Sequence, residues 1–335
     1  ANVGSTSAYN YQTGKEEVVR IASSDLVVSA YQPRSVLTQT LLDPSTYVVD
    51  SLTYDITAWS LPYAYGLEAY ASTARLSVNA GYTFGKPGND LSNAAPYAYL
   101  VPWESTHAAR FLAQLMKAGI QVRTATSPFQ LEGKSHERGT LVITRADNRK
   151  NEDFDATVRG LIKGMGITAS TVKTGFADLG PDLGSGSMTL LKAPRVGLIA
   201  GEGTFSNEAG QVWHYFEDRL DYPVHIFYPD DLERWTGKDI DLLIMPEGFY
   251  DLDEAAAGKL ATWVRGGGKL IGIGAALSSL AGKPGFGLEF KSPDEDNTPS
   301  QPHQDHSYAG AERRSIAEAI PGAIFGVDMD NTHPL

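Results

Sequence analysis

After three consecutive glycines, Gly266 to Gly268, the chain runs Lys269-Leu270-Ile271-Gly272-Ile273-Gly274-Ala275-Ala276-Leu277-Ser278-Ser279-Leu280, a hydrophobic strand turning into a helix. A turn of this kind lifts a nucleophile to the top of an α/β sheet, where neighbouring backbone N–H groups can hold an oxyanion. The residue at the nucleophile position is Gly274, which keeps the backbone and supplies nothing to attack with. Ser278 and Ser279 stand a helical turn beyond it, and no Ser-His-Asp order accompanies them. The sequence contains no cysteine, which excludes disulfides, thiolate zinc sites and cysteine nucleophiles together.

Other residue sets bear on a crevice near that turn. Gly201-Glu202-Gly203-Thr204-Phe205-Ser206 follows a strand and precedes a helix, where backbone amides can receive an anion. It lacks the G-x-G-x-x-G spacing of a dinucleotide site. Pro246-Glu247-Gly248 follows another strand and would face the same crevice, with Glu247 its best-placed carboxylate. The opposing reading makes both segments ordinary connections between strands and helices. His214-Tyr215-Phe216-Glu217 has the H-x-x-E pattern of a zinc ligand pair. It lies in a helix with Val212, Trp213, Phe216 and Leu220, so we read it as part of that helix rather than as ligands. His303-Gln304-Asp305-His306 places two imidazoles and a carboxylate within four residues, and His333 or Asp330 could join them as weak metal candidates. The spacing fits no tight motif, and a solvated polar loop is the simpler reading. The aromatics between Tyr54 and Gly66 could line a peptide or sugar groove; core packing or a seam between domains accounts for them equally simply.

The elements that must position these residues follow from hydrophobic spacing. The small, polar residues 1–24 read as a linker or arm. Leu26 to Val28 reads as a short buried strand, and Ser35 to Leu42 as a helix stopped by Asp43-Pro44. Strands are predicted at Tyr97 to Val101, Ile120 to Val122 and Thr140 to Ile143, with helices at Glu104 to Lys117 and Asp155 to Lys163. Strands alternating with helices predict a mainly parallel sheet. Residues 181–193, with Gly184-Ser185-Gly186-Ser187 and a following proline, mark the boundary between an α/β domain at 25–180 and a second at 194–335. That second domain is predicted as strand Arg195 to Ala200, helix Asn207 to Leu220, strands Val224 to Phe227 and Asp241 to Met245, helix Asp253 to Val264, and strand Lys269 to Ile273. The series is a β-α-β-α-β run of the doubly wound kind. Lys291 to Tyr308 reads as a long loop.

Composition bounds the function. The 335 residues suffice for two domains, and 42% hydrophobic content for two ordinary cores. The formal net charge of -12 argues against nucleic acid, whose phosphates require clustered Lys and Arg. No apolar run approaches the roughly 18 residues that cross a membrane.

Several segments together resemble one family: Leu26 to Leu37 (LVVSAYQPRSVL), Asp50 to Gly66 (DSLTYDITAWSLPYAYG), Gly201-Glu202-Gly203, Gly210 to Glu217 (GQVWHYFE) and Asp330 to Leu335 (DNTHPL). The chain from Leu26 onward resembles the region C-terminal to the catalytic domain in large bacterial zinc carboxypeptidases, best represented in Bacteroidetes. The resemblance implies an α/β fold in which the second domain is a flavodoxin-like parallel sheet of class I glutamine amidotransferase type, with Gly274 as its lost nucleophile. It also implies a secreted or periplasmic protein whose zinc sits in a preceding peptidase domain, with that domain and a peptide substrate as partners and no cofactor in this segment. His214 and Glu217 do not match the family's zinc motif in context, and no ligand role is carried to them. Two other functions are compatible with the residues. One is a module binding a small molecule or carbohydrate in the crevice of Gly201, Glu202, Gly203, Ser206, Glu247, Gly248 and Gly274. The other is a hydrolase pairing Glu247 with a histidine of the C-terminal loop.

Overall fold

The computed structural model describes residues 4–45, 60–77 and 88–290, together with Ala311 and Ile324. The chain divides into two compact units, 1–84 with 298–335, and 85–297.

In the first unit the expected linker is a β-hairpin. Strand β1 (Gly4–Asn10) pairs antiparallel with β2 (Lys15–Ile21), and the turn between them closes at Gly14 with φ +67°. Asn10 explains why this polar stretch folds: its buried side-chain oxygen accepts from the amides of Gln12 and Thr13, while its amide nitrogen donates to Glu17. Helix α1 (Ser35–Leu42) has the predicted bounds. The strand expected at Leu26 to Val28 is absent; both residues are more than half exposed, and the chain there follows a turn in which Asp25 accepts from the Ala22 amide. Helix α2 (Leu61–Ala64) carries Tyr63, whose ring packs with Tyr11 and whose hydroxyl meets that of Tyr9; β3 (Tyr70–Ala71) extends the sheet beside β1. Of the aromatic string, this end joins a tyrosine cluster, and the part before Ser60 lies outside the described residues.

The second unit contains two principal sheets. The first uses β4 (Ala98–Val101), β5 (Arg123–Ala125), β8 (Leu141–Thr144), β9 (Ser170–Val172) and β10 (Met188–Leu190) in the order β10-β5-β8-β4-β9. Hairpin β6 (Phe129–Leu131) and β7 (Lys134–His136) lies outside this ladder. Helices α3 (Thr106–Lys117) and α4 (Phe154–Met165) supply the crossovers. Every pairing in the sheet is antiparallel, contrary to the expected parallel arrangement. The reason is that both crossovers are split: β4-α3-β5 leaves a gap that β8 fills, and β8-α4-β9 leaves a gap that β4 fills. A linear pattern of strands and helices does not reveal an inserted strand. Tyr99, Val101, Leu141 and Ile143 face the two helices, while Ala98, Leu100 and Val142 face Phe129, Leu131, Leu183 and Met188. Ile120 and Val122 are buried as expected, but the strand begins three residues later than expected, at Arg123. The segment read as a linker at 181–193 contributes β10 to this sheet.

The second principal sheet is parallel throughout. It comprises β11 (Val196–Ile199), β12 (Val224–Phe227), β13 (Leu242–Met245) and β14 (Lys269–Gly272) in the order β12-β11-β13-β14. Alternation sorts the side chains: Ile199, Leu243 and Met245 pack with Ala256 and Leu260 of α6 (Glu254–Arg265), whereas Val196, Leu198 and Ile244 pack with Val212 of α5 (Ser206–His214) and Phe216 beyond it. Asp253 caps α6 by accepting from the Ala256 amide at 2.7 Å. The expected single helix to Leu220 changes character, because after His214 the chain widens into a π-helix over Tyr215–Leu220 that ends at Asp221 with φ +50°. Gln114 of α3 donates to the carbonyls of Leu220 and Asp221, and Lys117 pairs with Asp221 at 2.8 Å, tying this end to the first sheet's helix. Among the described residues no helix is long and apolar enough to cross a membrane.

Candidate functional site

The crevice expected from the sequence lies at the carboxyl ends of β11 and β13, where successive connections leave in opposite directions. The two loops there are joined to each other. The Phe205 amide donates to the Glu247 carbonyl at 3.0 Å, the Phe249 amide donates to the Gly203 carbonyl at 2.8 Å, and Thr204 and Gly248 form an antiparallel bridge. Glycine is required on both sides of this seam. A Cβ on Gly203, where φ is +79°, would stand 2.5 Å from the Phe249 carbonyl oxygen, and one on Gly248 would overlap the Gly203 carbonyl. The amides of Thr204 and Phe205, which the sequence offers to an anion, donate instead to protein carbonyls.

Strand β14 delivers the turn beside this seam. Ile273 donates to the Met245 carbonyl at 3.0 Å, and a 3₁₀ turn follows over Gly274–Ser279. Gly274 adopts φ +56°, a conformation that costs an L-residue about 1–2 kcal/mol. A Cβ built on it would stand 2.8 Å from both Cδ and Oε2 of Glu247, and 3.2 Å from Oε1. The carboxylate of Glu247 therefore fills the room that a side chain at 274 would use. The space beside Gly274 is thus occupied by a residue of the same chain.

The seam is backed by Tyr250, a residue not singled out in the sequence. Its hydroxyl donates to the Pro246 carbonyl at 2.7 Å, and its amide donates to Ser279 Oγ at 2.9 Å. Burial raises the Tyr250 phenol above its ordinary pKa; the adjacent Thr204 hydroxyl opposes the rise, although no well-formed hydrogen bond to Thr204 Oγ1 is present. Ser279 thus pins the turn to the β13 loop. Nothing in the sequence pairs Tyr250 with Ser279, which lies 29 positions away.

Glu247, Gly248, Gly203 and Gly274 converge. Gly201, Glu202 and Ser206 are exposed and do not join them: Gly201, at φ +108°, lies against the ring of Tyr228 on the β12 side, and Ser206 begins α5. His214 and Glu217 are not brought together as ligands. His214 instead meets Asp218, four residues on and 3.6 Å away, and Glu217 is exposed. Among the described residues no group of three or more His, Cys, Asp or Glu side chains is arranged to hold a metal. His303, Asp305, His306 and His333 lie outside the described residues.

The site thus has one carboxylate beside a glycine turn, two loops joined by backbone hydrogen bonds, and a buried phenol bonded to a carbonyl. No base–nucleophile pair can be assembled from these groups, and proton transfer from Tyr250 would break its bond to Pro246. Comparison with family models, with curated proteins and with solved structures finds no match to the chain.

Proposed function

We propose that the chain serves as the noncatalytic accessory region of a secreted or periplasmic zinc carboxypeptidase-like peptidase, supporting its catalytic domain or presenting peptide substrate. The reading rests on the sequence resemblance and on one structural observation: the position of a nucleophile holds a left-handed glycine, and Glu247 fills the space above it. In this reading the parallel sheet is a flavodoxin-like sheet of glutamine amidotransferase type. The strand order about β11 and the strained turn after β14 support that finer assignment. Zinc and the hydrolytic residues belong to a preceding peptidase domain.

Metal analysis and peptide hydrolysis assays on purified 1–335 test this directly. The expected result is substoichiometric zinc and no release of C-terminal amino acids. Stoichiometric zinc, or turnover by this chain, would overturn the proposal. The reading frame upstream of Ala1 is expected to encode the zinc-binding domain, and an unrelated sequence there would count equally against it.

A small-molecule or carbohydrate site in the crevice itself requires Glu247 to leave Gly274 and the seam between the two loops to open.

A further inference from the structure

Hairpin β6–β7 packs on the antiparallel sheet, and its inner face is not wholly apolar. The register sets Phe129 opposite His136 and Leu131 opposite Lys134, so strand alternation puts these four side chains on one face of the hairpin. Phe129 and Leu131 are buried with Ala98, Leu100 and Val142 of the sheet, which makes that face the inner one. The His136 imidazole stacks on the Phe129 ring, with centroids 4.8 Å apart and planes inclined by 21°. Its Nε2 is buried and has no hydrogen-bond partner. A buried nitrogen without a partner is costly in a neutral ring and costlier once the ring carries charge.

The charged groups around this ring are engaged elsewhere. Lys134, beside it on β7, pairs with Asp90 at 3.0 Å, and Arg123 of β5 pairs with Asp147 at 2.7 Å. Glu132 and Asp178 accept from the amides of Lys173 and Gly133, and Asp182 accepts from the Ala177 amide. Glu137 and Arg138 follow in the exposed connection to β8. None of these carboxylates is within hydrogen-bond reach of Nε2.

We propose that β7 is an acid-sensitive flap on the antiparallel sheet, released when His136 takes up a proton. Protonation makes both ring nitrogens donors and sets a charge between hairpin and sheet, next to the like charge of Lys134 and with no acceptor for Nε2. The imidazolium is better solvated outside the stack. Strand β7 can follow it, because β6 is its one strand partner among the described residues and a two-stranded ribbon is marginal by itself. Strand β6 stays in place: Gln130 exchanges backbone hydrogen bonds with Leu179 and Asp178 on its other side, and Phe129 and Leu131 remain in the core. Burial, reinforced by Lys134, lowers the imidazole below its ordinary pKa of 6.5. The open flap therefore binds the proton more readily than the closed one. Closure is strongest above 6.5, weakens as pH falls from there to the lowered value, and changes no further below it. This device depends on neither Gly274 nor a peptidase domain.

Hydrogen exchange of the full chain at the β7 amides, between about pH 7.5 and about pH 5 and corrected for the intrinsic effect of pH, tests the flap together with an NMR titration of the His136 ring. The expected result is a fall in β7 protection of about threefold or more on acidification, with β8 amides unaffected and a ring pKa below 6.5. His136→Phe keeps an aromatic ring on Phe129 but takes up no proton, and its β7 protection should not vary with pH. Protection of β7 that is constant with pH, the same fall in His136→Phe, an equal fall at β8, or a ring pKa at or above 6.5 would each overturn the proposal.

Discussion

Gly274 and Glu247 act as a pair. A side chain at 274 must adopt a left-handed conformation and also displace the end of Glu247. Gly274→Ala is therefore expected to destabilise the chain by about 1–2 kcal/mol through the backbone alone. The displacement adds a smaller amount, because a glutamate end can swing aside. A double-mutant cycle with Glu247→Ala isolates that second part, and urea unfolding of the four proteins should yield a coupling of about 0.5 kcal/mol or more. A coupling near zero would mean that the carboxylate does not press on position 274. The sequence placed Gly274 at the turn that follows a strand, and the turn is there. The side chain that fills the space beside it was not legible, because Glu247 and Gly274 are 27 positions apart and meet only through the parallel pairing of β13 with β14.

At the scale of elements, the entry to the parallel sheet depends on a polar clamp. The backbone amide and Nε of Arg195 both donate to Asp241 Oδ2, and its NH2 donates to Oδ1, fastening the starts of β11 and β13. The Arg195 side chain, assisted by its amide, lowers the Asp241 pKa from 3.8 to about 2. A lowered carboxylate pKa means that the folded state favours the charged form. The associated stability is complete above 3.8 and is lost as pH falls through about 2. Arg195→Ala should accordingly flatten the dependence of unfolding free energy on pH within that window and change little of its slope above it; an unchanged acid slope would count against the clamp. The same sheet shows what periodicity can reveal. Its four strands and the bounds of β12 followed from apolar spacing and turn residues, since the pairs β11–β12 and β13–β14 are each joined by a helix. The antiparallel sheet was misread for the opposite reason, as its adjacent strands are not those adjacent in the crossovers. Residues 4–21 were misread because their folding depends on Asn10 and on cross-strand pairing rather than on an apolar run.

At the scale of the whole second unit, the two principal sheets meet through α3 and the π-helix. Gln114 and Lys117 supply donors to a helix end whose wide winding leaves the carbonyls of Leu220 and Asp221 turned toward them. The double variant Gln114→Ala, Lys117→Ala should accelerate hydrogen exchange at the Tyr222 amide, which donates to the Phe216 carbonyl across the last turn. An acceleration of about tenfold would match the loss of one or two hydrogen bonds. Amides of β8, buried between β4 and β5, should be unaffected. Equal acceleration at both places would indicate global destabilisation and would remove the case for a local fastening.

The split crossovers of the antiparallel sheet also order events during synthesis. Strand β4 has no neighbour until β8 has emerged, more than 40 residues later, and its other side waits for β9. The parallel sheet, by contrast, can add each strand soon after the last. Loop closure between distant segments is the slow step in forming a sheet. On the ribosome, the first half of this unit must therefore remain incomplete until Leu190 has been made: a nascent chain stopped before Ser170 would present a bare edge of β4, and one stopped between Val172 and Met188 the outer edge of β5.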